Sequence, residues 1–428
     1  MKRFFFFIIF TGIAAGSAFG QYLSLQSAID SALKNSFDIA ILRNNTEIAG
    51  LNNSYAIAGG MPEIGANLSD DFNQISSYNN DGNGNKTSNN GVENVLVAGL
   101  KAEMTLYNGK RIVSTKKRLT ELSSMSEVEL FNGIQSLTAE VTMRYFEIAR
   151  QQKYLDILLK TEELAKQKLE IVQTRLDAGM ADGADILQAQ TDLNSAAQSI
   201  KMQELTILNA KADLVSALNC SIDPASLTVD TEIAVDEKFI VTGIPAMLKQ
   251  NAAYILADRN INVKNFQYAE TYSGRFPVLK ANTSLDYYQK NILPDEMLFN
   301  FGPGAGISLQ VPIYSWNTEK IKTKIAKINV ENAELERNNI MSDLKIEAFK
   351  QMQLYSTSLE QIEIQKDNLR LAKQLLDVVM QQFQLGHATI LDLKAAQASY
   401  EEASYSLVNL QYRAKSAEVG LKHMVMGL

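Results

Sequence analysis

Cysteine is almost missing from this chain. Cys220 is the single one in 428 residues, which excludes an intrachain disulfide framework and leaves stability to packing and assembly. Histidine is nearly as scarce: His387 and His423 have no metal partner at ligand spacing and read as exposed helix-end positions. Beyond the first 20 residues no run of about 18 apolar residues occurs, so no membrane-spanning helix is available, and a membrane can be entered only as strands. No basic patch interleaved with aromatics appears, and the acidic balance argues against nucleic acid as a partner. Nor does a nucleophile–base pair, metal cluster or phosphate loop stand out. The residues therefore point away from an enzyme, and they imply no cofactor and no metal.

What is present begins with a leader. Met1-Lys2-Arg3, an apolar run from Phe4 to Phe10 and the small-residue stretch to Ala18-Phe19-Gly20 have the regions of a secretory signal over 1–20. As a membrane anchor the same stretch is short and interrupted by glycine and serine. Cleavage is expected near Gln21, and no cysteine follows for lipid attachment. Loss of Lys2 and Arg3 takes the net charge from -7 to -9.

One stretch occurs twice. Gly179 to Gln190 and Gly386 to Gln397 each start with a glycine that ends a long helical pattern, place an aspartate six residues later (Asp185, Asp392), and close on Ala-Gln. The copies lie 207 residues apart, which predicts one body of two similar halves, 21–219 and 244–428, joined by a linker over 220–243 with one short strand. Each half reads helix, two strands, long helix, return helix. The opening helix spans Leu25 to about Tyr55 in the first half and Ala246 to Tyr272 in the second.

After Pro62 the period becomes two, with Ile64, Ala66, Leu68 and Phe72 on one face. A solvated loop is expected over Asn79 to Gly91, followed by a strand carrying Leu96, Ala98, Leu100, Ala102, Met104 and Leu106 on its apolar side. The second half repeats this between Pro277 and Ile313 around a polar loop at Asn291 to Glu296. From Lys110 to Ala178 there is no proline and one interior glycine, while Val141, Tyr145, Ile148, Leu169 and Val172 keep coiled-coil steps. About 70 helical residues span about 105 Å, several times an ordinary domain.

Each alternating segment offers about 9 to 11 residues, the length that crosses a bilayer when tilted. Alternation alone also fits a sheet packed on a soluble core. Against that, the helices are committed to a coiled coil and no ordinary helix remains to cover the sheet. Four strands cannot close a barrel and an open edge cannot face lipid, so a shared barrel is expected, with 12 strands from three chains. The fold class is mainly α with a β-hairpin pair.

Taken in order, the leader, the two repeats, Pro62 and Pro277 before the first strand of each hairpin, Leu106-Tyr107-Asn108-Gly109 and Pro312-Ile313-Tyr314 at the strand-to-helix switches, and the two Gly-to-Asp-to-Ala-Gln turns resemble the TolC-like outer-membrane channels of bacterial efflux and type I secretion systems. The resemblance covers nearly the whole mature chain. It implies a homotrimer with a 12-stranded barrel in outer-membrane lipid and a long helical tunnel in the periplasm. A periplasmic adaptor would dock at the tips and couple the tunnel to an inner-membrane transporter.

The resemblance also makes Asp392 the stronger constriction candidate, since related channels line the periplasmic mouth with the matching aspartate, and Asp185 the second. Three copies of each would form a cation-favouring ring. Both aspartates equally have capping-box spacing, after Thr389 and Asp182, and the two roles are compatible. Ala395 stands where some members carry a second acid. Phe383 stands where a tyrosine could bond to a neighbouring hairpin, so apolar packing is expected to close the mouth instead. Gly179, Met180 and Ala181, with Gly386, His387, Ala388 and Thr389, suit close approach of adaptor helices, and they equally suit a tight interhelical turn. Tyr107, Tyr314 and Trp316 are candidates for an interfacial aromatic girdle, or ordinary packing at strand ends. The competing function is an exported coiled-coil scaffold with a small soluble sheet.

Overall fold

The computed structural model describes residues 21–80, 86–236, 247–293 and 296–428; the leader and the end of the linker lie outside them. Contacts divide the chain into two units. Among the described residues one comprises 21–40, 132–236, 247–248 and 344–428, the other 41–80, 86–131, 249–293 and 296–343. The second unit holds a four-stranded antiparallel sheet, and the first holds the helical tips.

In chain order the elements are β1 (Gln21–Tyr22), α1 (Leu25–Asn35), α2 (Phe37–Asn52), β2 (Glu63–Asn80), β3 (Lys86–Tyr107), α3 (Arg111–Asp177), α4 (Gly183–Leu218), β4 (Leu227–Thr228), α5 (Ala252–Ser273), β5 (Val278–Leu293), β6 (Glu296–Gln310), α6 (Thr318–Leu385) and α7 (Ile390–Met424). Helix lengths repeat: α3 and α6 have 67 and 68 residues, α4 and α7 have 36 and 35. None of the described helices is long and apolar enough to cross a membrane.

The opening helix expected over 25–55 is two helices. Ser36 breaks it, its Oγ accepting from the Ile39 amide at 3.3 Å while its own amide still bonds to Ala32 O at 2.9 Å. Serine caps helices because its hydroxyl replaces a missing intrahelical partner, and that local bond competes with continuation. The C-terminal ends of α1 and α4 meet there, Asn219 Nδ2 donating to Asn35 O at 2.9 Å. The described part of the linker is strapped to the bundle. β4 pairs in parallel with β1, and the Tyr145 hydroxyl donates to Leu23 O at 3.1 Å and accepts from the Asp230 amide at 2.9 Å.

The sheet order is β2-β3-β5-β6, leaving β2 and β6 as open edges. Its strands exceed the expected length. The β2–β3 ladder runs to Asn80↔Lys86, through most of the stretch expected as a loop, and the β5–β6 ladder runs to Ile292↔Glu296. The reason is that alternation reports which residues meet an apolar surface, whereas a ladder needs only backbone donors and acceptors. Polar residues continue it once the apolar surface ends. β6 stops at Gln310, three residues short of the expected Ile313.

Within the first unit, the heptad stripe forms the core. Val141, Tyr145 and Ile148 of α3 pack with Leu214 and Leu218 of α4 and Leu227 of β4, all nearly free of solvent. A second cluster fills the tip, with Phe383 of α6, Val172 of α3, Ala189 of α4 and Leu393 and Ala396 of α7.

Candidate functional site

Two features qualify, one in each unit. The first is the pair of tips. Gly179 (φ +72°) and Gly386 (φ +85°) take the left-handed conformation that ends each long helix. The bonds around them match: Met180 N donates to Arg175 O at 2.7 Å and Gly179 N to Leu176 O at 3.0 Å, while His387 N donates to Gln382 O at 2.8 Å and Gly386 N to Phe383 O at 3.2 Å. This double closure satisfies the last carbonyls of α3 and α6 and is why a glycine stands at both places. Met180 is 80 % exposed; His387 and Thr389 are also exposed, and Ala181 and Ala388 are half-buried.

Both return helices open with a capping box. Asp182 accepts from the amides of Ala184 (2.8 Å) and Asp185 (3.0 Å), and Asp185 accepts in return from the Asp182 amide at 3.5 Å. In the second tip Thr389 Oγ1 accepts from the Asp392 amide at 3.2 Å, while Asp392 Oδ2 accepts from the Thr389 amide at 2.9 Å and its hydroxyl at 2.7 Å. The Thr389 amide and hydroxyl hold the Asp392 carboxyl below the usual carboxylate range, so it stays ionised while exposed. Asp185 is half-buried. Each aspartate therefore caps its helix and still presents a carboxylate at the tip.

Phe383 lies inside the tip at 2 % exposure. The Arg175 guanidinium sits 4.6 Å over its ring and donates to its carbonyl oxygen, joining the end of α3 to the end of α6. Further from the turns, Lys168 of α3 is 2 % exposed and pairs with Asp192 of α4, which also accepts from Lys394 of α7 at 3.1 Å and Gln188 at 2.8 Å. Burial pushes the Asp192 carboxyl up, but the bonds from Lys168, Lys394 and Gln188 outweigh it and hold the carboxyl below its ordinary value. Thr161 of α3 adds a bond to Glu401 of α7 at 2.8 Å. Sequence reasoning missed Arg175, Lys168, Asp192 and Lys394. A signal existed for Lys168: Thr161, Ala165, Lys168 and Val172 follow core-facing steps, and a lysine there announces a buried partner.

The second feature is the sheet. Registers put Ile64, Leu68 and Phe72 of β2, Leu100 of β3, Leu285 of β5 and Ile307 of β6 on one face. That face is uncovered, with Ile64, Leu68, Phe72 and Ile307 between 72 % and 76 % exposed. A contiguous apolar surface of this kind marks a face awaiting lipid or protein. The opposite face carries the ion pairs Glu103–Lys280 (2.7 Å), Glu103–Lys101 (3.3 Å) and Glu93–Lys290 (3.1 Å). Gly99, Gly304 and Gly306 leave room there for polar side chains to lie flat, and a Cβ at Gly99 would meet Asp286 Oδ1 at 2.6 Å. A bulge between Thr105 and Tyr107 brings Tyr107 opposite Leu279, onto the apolar face that strict alternation would have denied it. Tyr314 and Trp316 are 70 % and 82 % exposed with ring centroids 5.4 Å apart. The structure brings Tyr314 and Trp316 together at the second switch, while Tyr107 ends β3 at the first.

No group of acidic, histidine or cysteine side chains suited to a metal occurs among the described residues. An amphipathic four-stranded sheet with free edges, combined with two capped helical hairpins of matched length, defines the class of TolC-like outer-membrane channel subunits. The chain belongs to the outer membrane efflux protein family, whose sequence profile matches residues 28–220 and 250–425. An uncharacterized protein of Haemophilus influenzae is 25 % identical over 312 residues, covering 70 % of this chain and 66 % of that protein, just under two thirds of its length. Among solved structures, VceC of Vibrio cholerae superposes with TM-score 0.81 at 17 % identity, over 94 % of this chain and 96 % of that one. The CmeC outer membrane channel of Campylobacter jejuni gives 0.80 at 16 % identity, over 94 % and 85 %. The MtrE outer membrane channel of Neisseria gonorrhoeae, in its open state, gives 0.71 at 18 % identity, over 94 % and 89 %. The family places the protein in the outer membrane, and the family and these structural neighbours are channel proteins.

Proposed function

We propose that three copies of the chain join edge to edge, β6 of one against β2 of the next, to close a 12-stranded barrel in outer-membrane lipid. The observation that carries this reading is a sheet whose apolar face is uncovered and whose two edges are open. Both defects disappear together when the edges pair and the apolar face meets lipid. On β2 the apolar band from Ile64 to Phe72 is nine residues, about 26 Å along the strand and about 20 Å along the membrane normal at the tilt of barrel strands, near the height of the apolar band of membrane barrels. The ion-paired, glycine-bearing face then lines an aqueous lumen, and Tyr107, Tyr314 and Trp316 lie at the membrane boundary.

The helices continue this lumen as a periplasmic tunnel. The assembly is a passive conduit for efflux or type I secretion, completed by a periplasmic adaptor at the tips around Gly179–Ala181 and Gly386–Thr389 and by an inner-membrane transporter. Residues 1–20 are the export signal, and 21–219 and 244–428 are the duplicated halves on either side of the 220–243 linker. The mouth is gated by the hairpins, with Asp392 and Asp185 supplying up to six carboxylates around it. Phe383 acts from within, as the apolar filling that Arg175 holds against α3. For the second hairpin to move from the first, the Arg175–Phe383, Asp192–Lys394 and Thr161–Glu401 ties must yield, while Lys168–Asp192 stays within the first hairpin.

Reconstitution in planar bilayers tests this reading. Folded trimer should conduct with a preference for cations. Asp392→Asn keeps a capping oxygen but removes the charge, and it should lower the cation-to-anion permeability ratio while leaving helix content unchanged. Absence of conductance from folded trimer, including Asp392→Ala, would sink the channel reading.

A further inference from the structure

We propose that the opening turns of α3 and α6 form a basic collar that binds acidic phospholipid headgroups on the side of the membrane next to the helices. The proposal rests on the membrane-inserted reading of the sheet given above. Five cations and no acid fall between Lys110 and Arg118, and from Lys320 to Lys327 there are four cations, with Glu319 just before them. The whole chain is acidic at -7, so these windows run against its balance.

The fold gathers what the linear sequence separates by two hundred residues. Gly109 packs on the turn that follows α5: a Cβ there would lie 2.8 Å from Phe276 Cβ and 2.9 Å from Ser273 O. Gly274 in the same turn packs against α6, where a Cβ would lie 2.7 Å from Glu319 Oε2. Both helix starts therefore meet one short turn, which also carries the exposed Arg275. Some of the cations are spoken for: Arg118 pairs with Glu270 at 2.7 Å and Lys322 with Glu319 at 3.0 Å. Lys110, Arg111, Lys320 and Lys324 are exposed and have no carboxylate within ion-pair distance among the described residues.

The placement of Lys110 and Arg111 is locally unfavourable. Helix N-termini prefer acids, and α4, α6 and α7 obey with Asp185, Glu319 and Asp392 in their first turns, whereas α3 has no acid in its first turn and begins at Arg111. An external anion removes that conflict. Position selects which anion. Lys110 follows Tyr107 by three residues and Lys320 follows Trp316 by four, so the cations begin where the aromatic boundary ends. Aromatic rings at headgroup level followed by Lys and Arg just beyond them match a phospholipid surface, with the phosphate as the charged partner. Continuity with the apolar face of the sheet favours lipid over a soluble polyanion.

The test uses full-length trimer equilibrated with mixed micelles of phosphatidylglycerol and phosphatidylcholine, with retained lipids counted by native mass spectrometry. Wild type should retain phosphatidylglycerol preferentially, and added salt should erode the preference. The variant Lys110→Gln/Arg111→Gln/Lys320→Gln/Lys324→Gln should lose at least about fivefold of it, since each charge near a lipid surface is worth about that factor. Replacing the three lysines by arginine should keep it, and Lys153→Gln/Lys160→Gln/Lys166→Gln/Lys373→Gln, remote from the collar in sequence, should leave it unchanged. Equal retention of both lipids by folded, conducting wild type would overturn the collar while leaving the channel reading intact. So would unchanged selectivity in the collar variant, or binding to isolated peptidoglycan that the variant loses while lipid selectivity persists. Failure of wild type to insert in any bilayer would instead overturn the membrane reading itself.

Discussion

Replacing Asp192 by alanine strands a lysine. Lys168 is 2 % exposed, and its ammonium has Asp192, itself only 16 % exposed, as its ion-pair partner across α3 and α4. Removing one member of such a pair leaves an uncompensated buried charge, which costs about 3 to 5 kcal/mol. Expressed as local opening, that corresponds to a rise of about 150- to 5,000-fold in amide exchange over 165–172 and 185–196. Hydrogen–deuterium exchange on the detergent-solubilised protein, corrected for intrinsic rates, reads it directly. Lys394→Ala removes the other cation, but its side chain is 55 % exposed, so about 0 to 1 kcal/mol is expected. The double change Lys168→Met/Asp192→Leu removes both charges and should come out near neutral or more stable than wild type. The folded Asp192 carboxyl is held below its ordinary value, so its contribution is complete above the unfolded value near 4 and is lost as pH falls through the lower folded value. Protection should therefore be level from pH 7 to about 5 and weaken only below about 4. An increase of less than tenfold in Asp192→Ala, or an equal effect from Lys394→Ala, would refute the reasoning.

Tyr145→Phe removes the hydroxyl that joins Leu23 O and the Asp230 amide, leaving two partners unsatisfied, and should cost about 1 to 3 kcal/mol. Faster limited proteolysis within 220–236 is the readout. Gly386→Ala has space, its nearest neighbour being Arg175 at 3.7 Å, but forces a side chain into φ +85° and should destabilise by about 1 to 2 kcal/mol. Gly183→Ala, at the first residue of α4 with nothing within 4 Å, should instead stabilise by about 0.4 to 1 kcal/mol, and thermal unfolding of the two variants side by side separates conformation from space.

The periods in this sequence are local properties of the backbone, which is why much of the fold was legible. Residues two apart share a sheet face and residues three or four apart share a helix stripe wherever the element lies, so Ile64 with Leu68, and Val141 with Tyr145 and Ile148, could be grouped before any contact was known. Caps are equally local: Thr389 reaches Asp392 over three residues, and a glycine ends a helix by its own φ. Strand ends were less legible, because apolar alternation stops with the apolar band while the ladder of β2 and β3 does not.

Sequence by itself thus determined the faces of the strands, the turns at Gly179 and Gly386 and the capping of both return helices. Tertiary structure alone decided that Asp192 meets both Lys168 and Lys394, that Arg175 covers Phe383, that a bulge moves Tyr107 to the apolar face, and that Gly109 before α3 and Glu319 of α6 both meet the Ser273–Phe276 turn. The physical reason is range. Periodicity and capping act within one turn or one strand, whereas an ion pair between helices or a bulge in a ladder depends on the register at which distant segments pack.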